Sequence, residues 1–386
     1  MLFVSTGSTS SDILLAPVLV ELRRRGKLGE VVGIGGTPLG EVGVHTLFDS
    51  TSLSSLGHVA SYRALLANGP NVLAAYRSVK NYFRKSRPAL VILVDNPGQN
   101  MPVLGLARRH GIRVLYYVPP ERWMISRLTV RAIAAKATTI ATIFRSEYES
   151  YRNSGGNTCW VGHPMIDLLE AVPRPPAFTG RNPTVGLFPG SRRLEVQELL
   201  PVLRGAAEII LRAEPTTRFV MCSANEMAAQ QIAAHINTWK VPVEVVHRQS
   251  MAVLSRCDLL LACAGTATLE AAILGVPMVT MYRLRYWLDR VIQACAHLNK
   301  YSFFSLPNYV LNRAVVPELR SRDANPHTVA AEGLALLRDP SRREAVAAGL
   351  AEVRQLLGPP GALGRVADLV SDMLGTPSGQ WSVVSG

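Results

Sequence analysis

Apolar residues in this chain fall into short continuous runs. Leu2–Thr6, Val31–Ile34, Leu90–Val94, Val114–Tyr117 and Thr139–Phe144 occupy the first half, and Thr184–Phe188, Arg218–Cys222, Val243–Val246, Leu259–Ala262 and Met278–Met281 the second. Such runs predict strands, and where one is apolar at every position, as in Leu90–Val94, it predicts a strand of a parallel sheet covered on both faces. Between them the period changes to that of a helix: Ile13–Arg25 carries Leu14, Leu15, Val18, Leu19 and Leu22 on one face. Met101–His110, Leu128–Ala137, a short helix from Ser146, Glu195–Glu214, Met227–Ile236, Met251–Ser255 and Thr268–Leu274 repeat the alternation. The pattern predicts an α/β protein of two doubly wound, Rossmann-like domains facing each other across a cleft. The expected division is a first domain over residues 1–172, a Pro-rich linker over 173–182, a second domain over 183–345, helices over 346–374 packing back toward the first domain, and a disordered tail over 375–386.

Charge narrows the partners. The 386 residues are 48% hydrophobic and carry 41 Lys and Arg against 28 Asp and Glu, a formal charge of +13. That balance favours an anionic partner: nucleic acid, an acidic membrane surface or a phosphorylated substrate. From Ser54 to Arg87 a helical stretch interleaves Tyr62, Tyr76, Tyr82 and Phe83 with Arg63, Arg77, Lys80, Arg84, Lys85 and Arg87. Such a helix lies on an anionic lipid surface or on nucleic acid, or else presents a solvated face with its aromatics in the core. No RNA or DNA motif accompanies the charge, which ranks nucleic acid last. The five cysteines show no metal-ligand spacing and read as buried thiols, so neither a metal nor a disulfide framework is expected. The N-terminus lacks the basic region of a signal peptide, and no apolar run of about 18 residues is present. The expected location is therefore cytoplasmic, peripheral on the inner face of the membrane.

Candidate chemistry sits in loops that follow strands. Leu187-Phe-Pro-Gly-Ser-Arg-Arg-Leu-Glu-Val196 is a strand, a Gly-Ser turn and a helix start, where backbone amides and the positive helix end offer a seat for a phosphate and Arg192 adds a fixed charge. A plain strand-to-helix turn with a solvated arginine has the same sequence, but Cys263-Ala-Gly-Thr-Ala-Thr-Leu-Glu270 is a second loop of the same kind, and two such loops point to a nucleotide site. In the first half, Asp95-Asn-Pro-Gly puts a carboxylate at the carboxyl edge of a sheet, where open α/β sheets bind ligands. Asp12 reads as a ligand of the first loop or as the cap of the helix beginning at Ile13. His163, in a Gly-His-Pro turn, reads equally as a hydrogen-bonded structural residue or a ligand. Tyr117 and Trp123 read as packing residues.

Taken together the loops resemble one family. Gly7…Thr9-Ser10…Asp12-Ile-Leu, Val94-Asp-x-Pro97, Tyr117-Val-x-Pro120…Trp123, Val161-Gly-His-Pro164…Asp167, Pro189-Gly-Ser-Arg192…Glu195-Val, Gly265-Thr-Ala-Thr-Leu-Glu270, Pro277-Met-Val279…Tyr282-Arg283 and Ser305-Leu-Pro-Asn308 resemble, in order, the motifs of lipid-A-disaccharide synthase, a glycosyltransferase family of the GT-B type. The resemblance implies an inverting transfer of 2,3-diacylglucosamine from its UDP derivative to the 6-hydroxyl of 2,3-diacylglucosamine 1-phosphate, giving a β-1,6 disaccharide and UDP. It implies no cofactor. It makes Asp95 the base and Arg192, with the amides of Gly190 and Ser191, the group that meets charge developing on the diphosphate. Gly265, Thr266, Glu270, Arg283 and Asn308 fall on the UDP side, with Glu270 on the ribose hydroxyls; Gly7, Ser8, Ser10, Asp12 and His163 fall on the acceptor side. A homo-oligomer is left open.

The chain also departs from the family. Ser8 stands where a glutamate is usual, Ser11 where a glycine is usual, and Gly98-Gln99 where an Asp-Phe pair is common. All three departures lie on the acceptor side, which implies an intact donor site with a changed acceptor end, either redirected or slowed. Two rivals remain: a UDP-N-acetylglucosamine 2-epimerase-like enzyme, which needs no acceptor, and a UDP-sugar-binding homologue without catalysis.

Overall fold

The computed structural model describes residues 1–49, 62–120, 125–175, 178–283 and 303–375. The chain divides into two compact units, Met1–Asp167 joined by the segment from Pro359, and Leu168–Gly358. The chain crosses at 167/168 and 358/359, so the Pro-rich residues 173–182 belong to the second unit. There the Arg343 guanidinium lies 4.5 Å from the centre of the Phe178 ring.

In chain order the first unit contains β1 (Leu2–Thr6), α1 (Thr9–Arg24), β2 (Val31–Gly35), α2 (Thr37–Glu41), β3 (His45–Asp49), α3 (Tyr62–Ser86), β4 (Leu90–Val94), α4 (Pro97–Arg109), β5 (Arg113–Tyr117), α5 (Arg127–Lys136), β6 (Thr139–Thr142), α6 (Arg145–Asn153) and β7 (Thr158–Trp160). The short α7 (Met165–Leu169) spans the crossing into the second unit. The strands form one sheet in the order β3-β2-β1-β4-β5-β6-β7, every pair parallel. Strand order reverses beside β1, which pairs with β2 on one side and, in the register Leu2↔Leu90 to Thr6↔Val94, with β4 on the other. All five residues of β4, an unbroken apolar run, are buried, as are all five of β1, whose last two are the polar Ser5 and Thr6.

The second unit repeats the plan with β8 (Thr184–Phe188), α8 (Arg193–Ala213), β9 (Arg218–Ser223), α9 (Glu226–Ile236), β10 (Val243–His247), α10 (Ser250–Leu254), β11 (Leu259–Cys263), α11 (Thr266–Leu274), β12 (Met278–Tyr282), α12 (Leu306–Leu311), β13 (Glu318–Arg320), α13 (Pro326–Arg338) and α14 (Pro340–Leu356). Its all-parallel sheet runs β10-β9-β8-β11-β12-β13, reversing between β8 and β11. Each sheet therefore has the strand order of a dinucleotide-binding fold.

The last helix, α15 (Ala362–Gly375), belongs to the first unit. Asp167 holds its start: Oδ1 accepts from the Gly361 N–H at 2.6 Å and Oδ2 from the Leu363 N–H at 2.7 Å. Arg365 donates to the Val161 carbonyl at 2.9 Å, and Arg25 pairs with Asp368. The motif residue Asp167 is thus a clasp for the returning helix. By contrast α14, which overlaps the segment expected to return from residue 346, packs within the second unit, with Val346, Leu350 and Val353 buried.

Tyr76, Tyr82 and Phe83 of α3 turn inward. Phe83 is fully buried and meets Phe3 edge-on at 4.9 Å, and Tyr76 and Tyr82 pack against the same core. Arg77, Lys80, Arg84 and Lys85 stay exposed, so the helix presents a basic face while these three aromatics belong to the core. The expected start of this helix at Ser54, Trp123 and the tail from 376 lie outside the described residues, as do residues 286–296, whose sequence reads as an amphipathic helix.

Candidate active site

Four of the eight motif loops, those beginning at Gly7, Val94, Pro189 and Gly265, lie at the two strand-order reversals. In the first unit, Gly7-Ser8 leaves β1 and Asp95-Asn96 leaves its neighbour β4 at the same carboxyl edge. The approach is close enough to demand a glycine: a Cβ on Gly7 would stand 2.2 Å from the Asn96 Cβ. Asp95 (φ +53°) and Asn96 (φ +30°) both lie in the left-handed region, as does Val118 (φ +51°) on the next strand end. Side chains with a Cβ enter that region at a cost of roughly 1–3 kcal/mol each, and such residues persist where their surroundings over-determine them. Here the Asp95 N–H donates to the Val118 carbonyl at 3.0 Å, and the Asp95 carbonyl accepts from Tyr116 Oη and Asn100 Nδ2, both at 2.9 Å. The backbone of the half-buried Asp95 is fixed from both sides.

The acceptor-side residues are more structural than the sequence implies. The first helix begins at Thr9, not Ile13, because Ser8 is its cap and accepts from the Ser11 N–H at 3.3 Å. The Ser8 hydroxyl also lies 3.0 Å from that of Ser10 and 2.9 Å from that of Ser11. Asp12 is therefore inside the helix and caps nothing. It is fully buried, with Oδ1 accepting from Thr6 Oγ1 and Oδ2 accepting from the Gly36 N–H at 3.0 Å, so that it ties the ends of β1 and β2 together. His163 is buried, accepts from the Met165 N–H at 3.1 Å through Nδ1, and is held neutral by burial, which lowers its pKa to about 3. It is the hydrogen-bonded structural residue of the two alternatives.

In the second unit, Pro189-Gly-Ser191 leaves β8 and Ala264-Gly265 leaves its neighbour β11. Gly190 has φ +108°, and a Cβ there would meet Glu195 Oε2 at 2.7 Å. Glu195 itself was missed as a participant. Its Oε2 accepts from the N–H groups of Ser191 and Arg192, both at 3.1 Å, and its Oε1 accepts from Arg192 Nη1 at 3.1 Å. The Ser191 amide assigned to the diphosphate is thus already hydrogen-bonded to the chain's own carboxylate. Arg192-Arg-Leu-Glu195 carries the glutamate of a capping box three positions into the helix but an arginine where the box has Ser or Thr, so the sequence holds only half of that signal. The facing helix end differs: α11 begins after Gly265 with no side chain capping it, which leaves the Thr266 turn as the more open of the two anion seats.

Glu270 projects from α11 into the interior and is buried, not partly exposed. Burial raises its pKa, offset in part by Ser250, and its Oε2 has no hydrogen-bond partner among the described residues. A buried carboxylate with one unsatisfied oxygen is suited to accept from a ligand hydroxyl. Arg283 reaches Glu198 at 3.7 Å. Asn308, expected at the donor, is fully buried and fully engaged: Oδ1 accepts from the N–H groups of Val315 and Val316 at 2.7 and 2.9 Å, and Nδ2 donates to the Val316 carbonyl at 3.0 Å. It braces α12 against the approach to β13.

Asp12 gives a pH test. Its pKa is raised from 3.8 to about 6, mainly by burial, against the lowering effect of the bonds from Thr6 and Gly36 and with a smaller contribution from Asp49. A raised carboxyl binds its proton more tightly when folded, so its stabilising contribution is complete below pH about 4 and disappears as pH rises through about 6, a change on the order of 3 kcal/mol. Chemical denaturation of wild type and Asp12→Asn between pH 4 and 7 should show stability curves that diverge over this interval, with the wild type losing ground to the variant as pH rises.

Comparison with known proteins agrees with the two-loop geometry. The family model described as lipid-A-disaccharide synthetase matches residues 2–360. The lipid-A-disaccharide synthase of Geobacter sulfurreducens is 33% identical over 381 residues, covering 97% of each chain, and that of Nitrosococcus oceani is 32% identical over 380 residues, covering 96% of this chain and 95% of the relative. Among solved structures, the calicheamicin glycosyltransferase CalG4 aligns with a TM-score of 0.62 at 14% identity, covering 98% of each chain. A UDP-GlcNAc 2-epimerase from Neisseria meningitidis aligns at 0.64 and 14% identity, covering 96% of this chain and 99% of that one. These likenesses are of fold, of the GT-B kind, whereas the sequence matches favour the synthase family over the epimerase-like rival. Since the family match runs through both units and takes in all eight motif loops, the chain belongs to the lipid-A-disaccharide synthase family of glycosyltransferases.

Proposed function

We propose that the chain transfers 2,3-diacylglucosamine from UDP-2,3-diacylglucosamine to the 6-hydroxyl of 2,3-diacylglucosamine 1-phosphate, with inversion, releasing UDP. The observation that carries this reading is that each unit has a pair of motif loops at its own strand-order reversal, Gly7-Ser8 with Asp95 in the first and Gly190-Ser191 with Gly265-Thr266 in the second, the place where such sheets take ligands. In the second unit the open N-terminus of α11 at Gly265-Thr266 and the guanidinium of Arg192 receive the diphosphate, and Glu270 accepts from the ribose hydroxyls. As the sugar C1–O bond breaks, the leaving UDP gains charge, which Arg192 and the helix end offset. Asp95 in the first unit removes the proton of the attacking hydroxyl. Ser8 and Gln99, where this chain departs from the family pattern, are engaged in internal hydrogen bonds, and we assign to them the altered acceptor end.

The purified protein, incubated with UDP-diacylglucosamine with and without the acceptor, should release UDP only when the acceptor is present, with a disaccharide 1-phosphate as the product by mass. Asp95→Asn should lower turnover by about 100-fold or more while UDP affinity stays within about twofold. UDP release without acceptor, or full turnover by the variant, contradicts the reading.

Acylated substrates reside in a membrane, and we propose that α3 docks the enzyme there. Arg77, Lys80 and Arg84 recur at helical spacing on its solvated side with Lys85 adjacent, and a basic residue near an anionic leaflet contributes about 1 kcal/mol. Among the described residues no helix is long and apolar enough to cross a membrane. Vesicles containing phosphatidylglycerol should bind the protein at low salt, and the double reversal Arg84→Glu, Lys85→Glu should weaken that binding by about tenfold or more. Binding indifferent to both salt and reversal removes this face from the account.

A further inference from the structure

Asn100 is a fully buried polar side chain at the reversal of the first sheet, and every group on it is used. Its Oδ1 accepts from Ser5 Oγ at 2.7 Å, and its Nδ2 donates to the carbonyls of Val94 and Asp95, both at 2.9 Å. One amide thus joins β1 to the end of β4 at the residue where the chain turns left-handed. Tyr116, on the adjoining strand β5 and also fully buried, donates to the same Asp95 carbonyl at 2.9 Å. Burial raises its pKa, so the hydroxyl keeps the proton it donates. The line extends outward through Gln99, whose Nε2 donates to Ser5 Oγ at 3.1 Å and to the Thr6 carbonyl at 2.9 Å.

None of these contacts involves the ordinary ladder of the sheet. An aspartate forced to φ +53° relaxes toward the extended or helical region once released, and the swing of its backbone moves its carboxylate. We infer that Asn100 and Tyr116 are positioning residues that aim the Asp95 carboxylate by clamping its carbonyl, and that Gln99 belongs to the same clamp as its outer link. The inference rests on the reading of Asp95 as the base, and it gives the departure at position 99 a purpose: an amide at that position ties α4 to the end of β1 where the family commonly has a phenylalanine.

Misplacing a reacting group by about an ångström lowers turnover by up to about 100-fold without touching the binding of the other substrate. The test is a set of steady-state measurements on full-length protein with saturating acceptor, comparing Asp95→Asn, Asn100→Ala, Tyr116→Phe and Gln99→Ala. Tyr116→Phe and Asn100→Ala should each lower kcat by about tenfold or more with the KM for the UDP-sugar within about twofold of wild type, and Gln99→Ala should lower kcat by a smaller factor. Tyr116→Phe removes one hydroxyl and no packing volume, so it decides the matter even where Asn100→Ala fails to fold. An inactive Asp95→Asn beside a fully active Tyr116→Phe overturns the clamp and leaves the base in place. A rise in KM at unchanged kcat also overturns it, and an active Asp95→Asn overturns the base and the clamp together.

Discussion

Reversal of strand order is the constraint on which the rest depends. In a parallel sheet every crossover must pass over one face, and where successive crossovers part to opposite faces the ends of two neighbouring strands are left uncovered. That happens between β1 and β4 and again between β8 and β11. Backbone groups at those ends cannot all be satisfied by the sheet, and the chain meets the need with side chains: Asn100, Tyr116 and Gln99 in the first unit, Glu195 in the second. Polar chemistry gathers at the reversals because the topology leaves work for polar groups there.

The two reversals are treated differently. In the first unit the polar residues hold strained backbone, with two consecutive non-glycine residues at positive φ. In the second, one loop is closed by its own carboxylate while the other helix end carries no side-chain cap, and a buried glutamate keeps one oxygen unsatisfied nearby in the same helix. Rigid aiming suits a group that must meet a proton at a fixed distance. An uncapped helix end suits a group that must receive an anion and let it go.

Most of the fold was legible because buried parallel strands announce themselves as unbroken apolar runs, and Leu90–Val94 and Leu259–Ala262 are plain examples. Strands β3, β7 and β13 escaped notice: they lie at sheet edges, are only three to five residues long and contain no fully buried residue, so the apolar signal is missing. The early start of α1 was hidden by its Ser- and Thr-rich first turn, a composition shared by caps and loops. A motif names a loop and does not separate residues free to face a ligand from residues that hold the loop. Asp12, His163, Asp167 and Asn308 belong to the second kind, and only their burial and the count of their hydrogen bonds reveal it. Glu195 and Asn100 were passed over for the opposite reason, since each sits in a helix where a polar residue attracts no attention.

The central claim is that the second unit's reversal, between β8 and β11, takes the nucleotide diphosphate. Amide hydrogen exchange of the whole protein with and without UDP addresses it directly. Slowed exchange confined to 188–195 and 263–270 is the expected result, with the neighbouring strands unchanged. Protection that appears in neither segment, or only in the first unit, would contradict it.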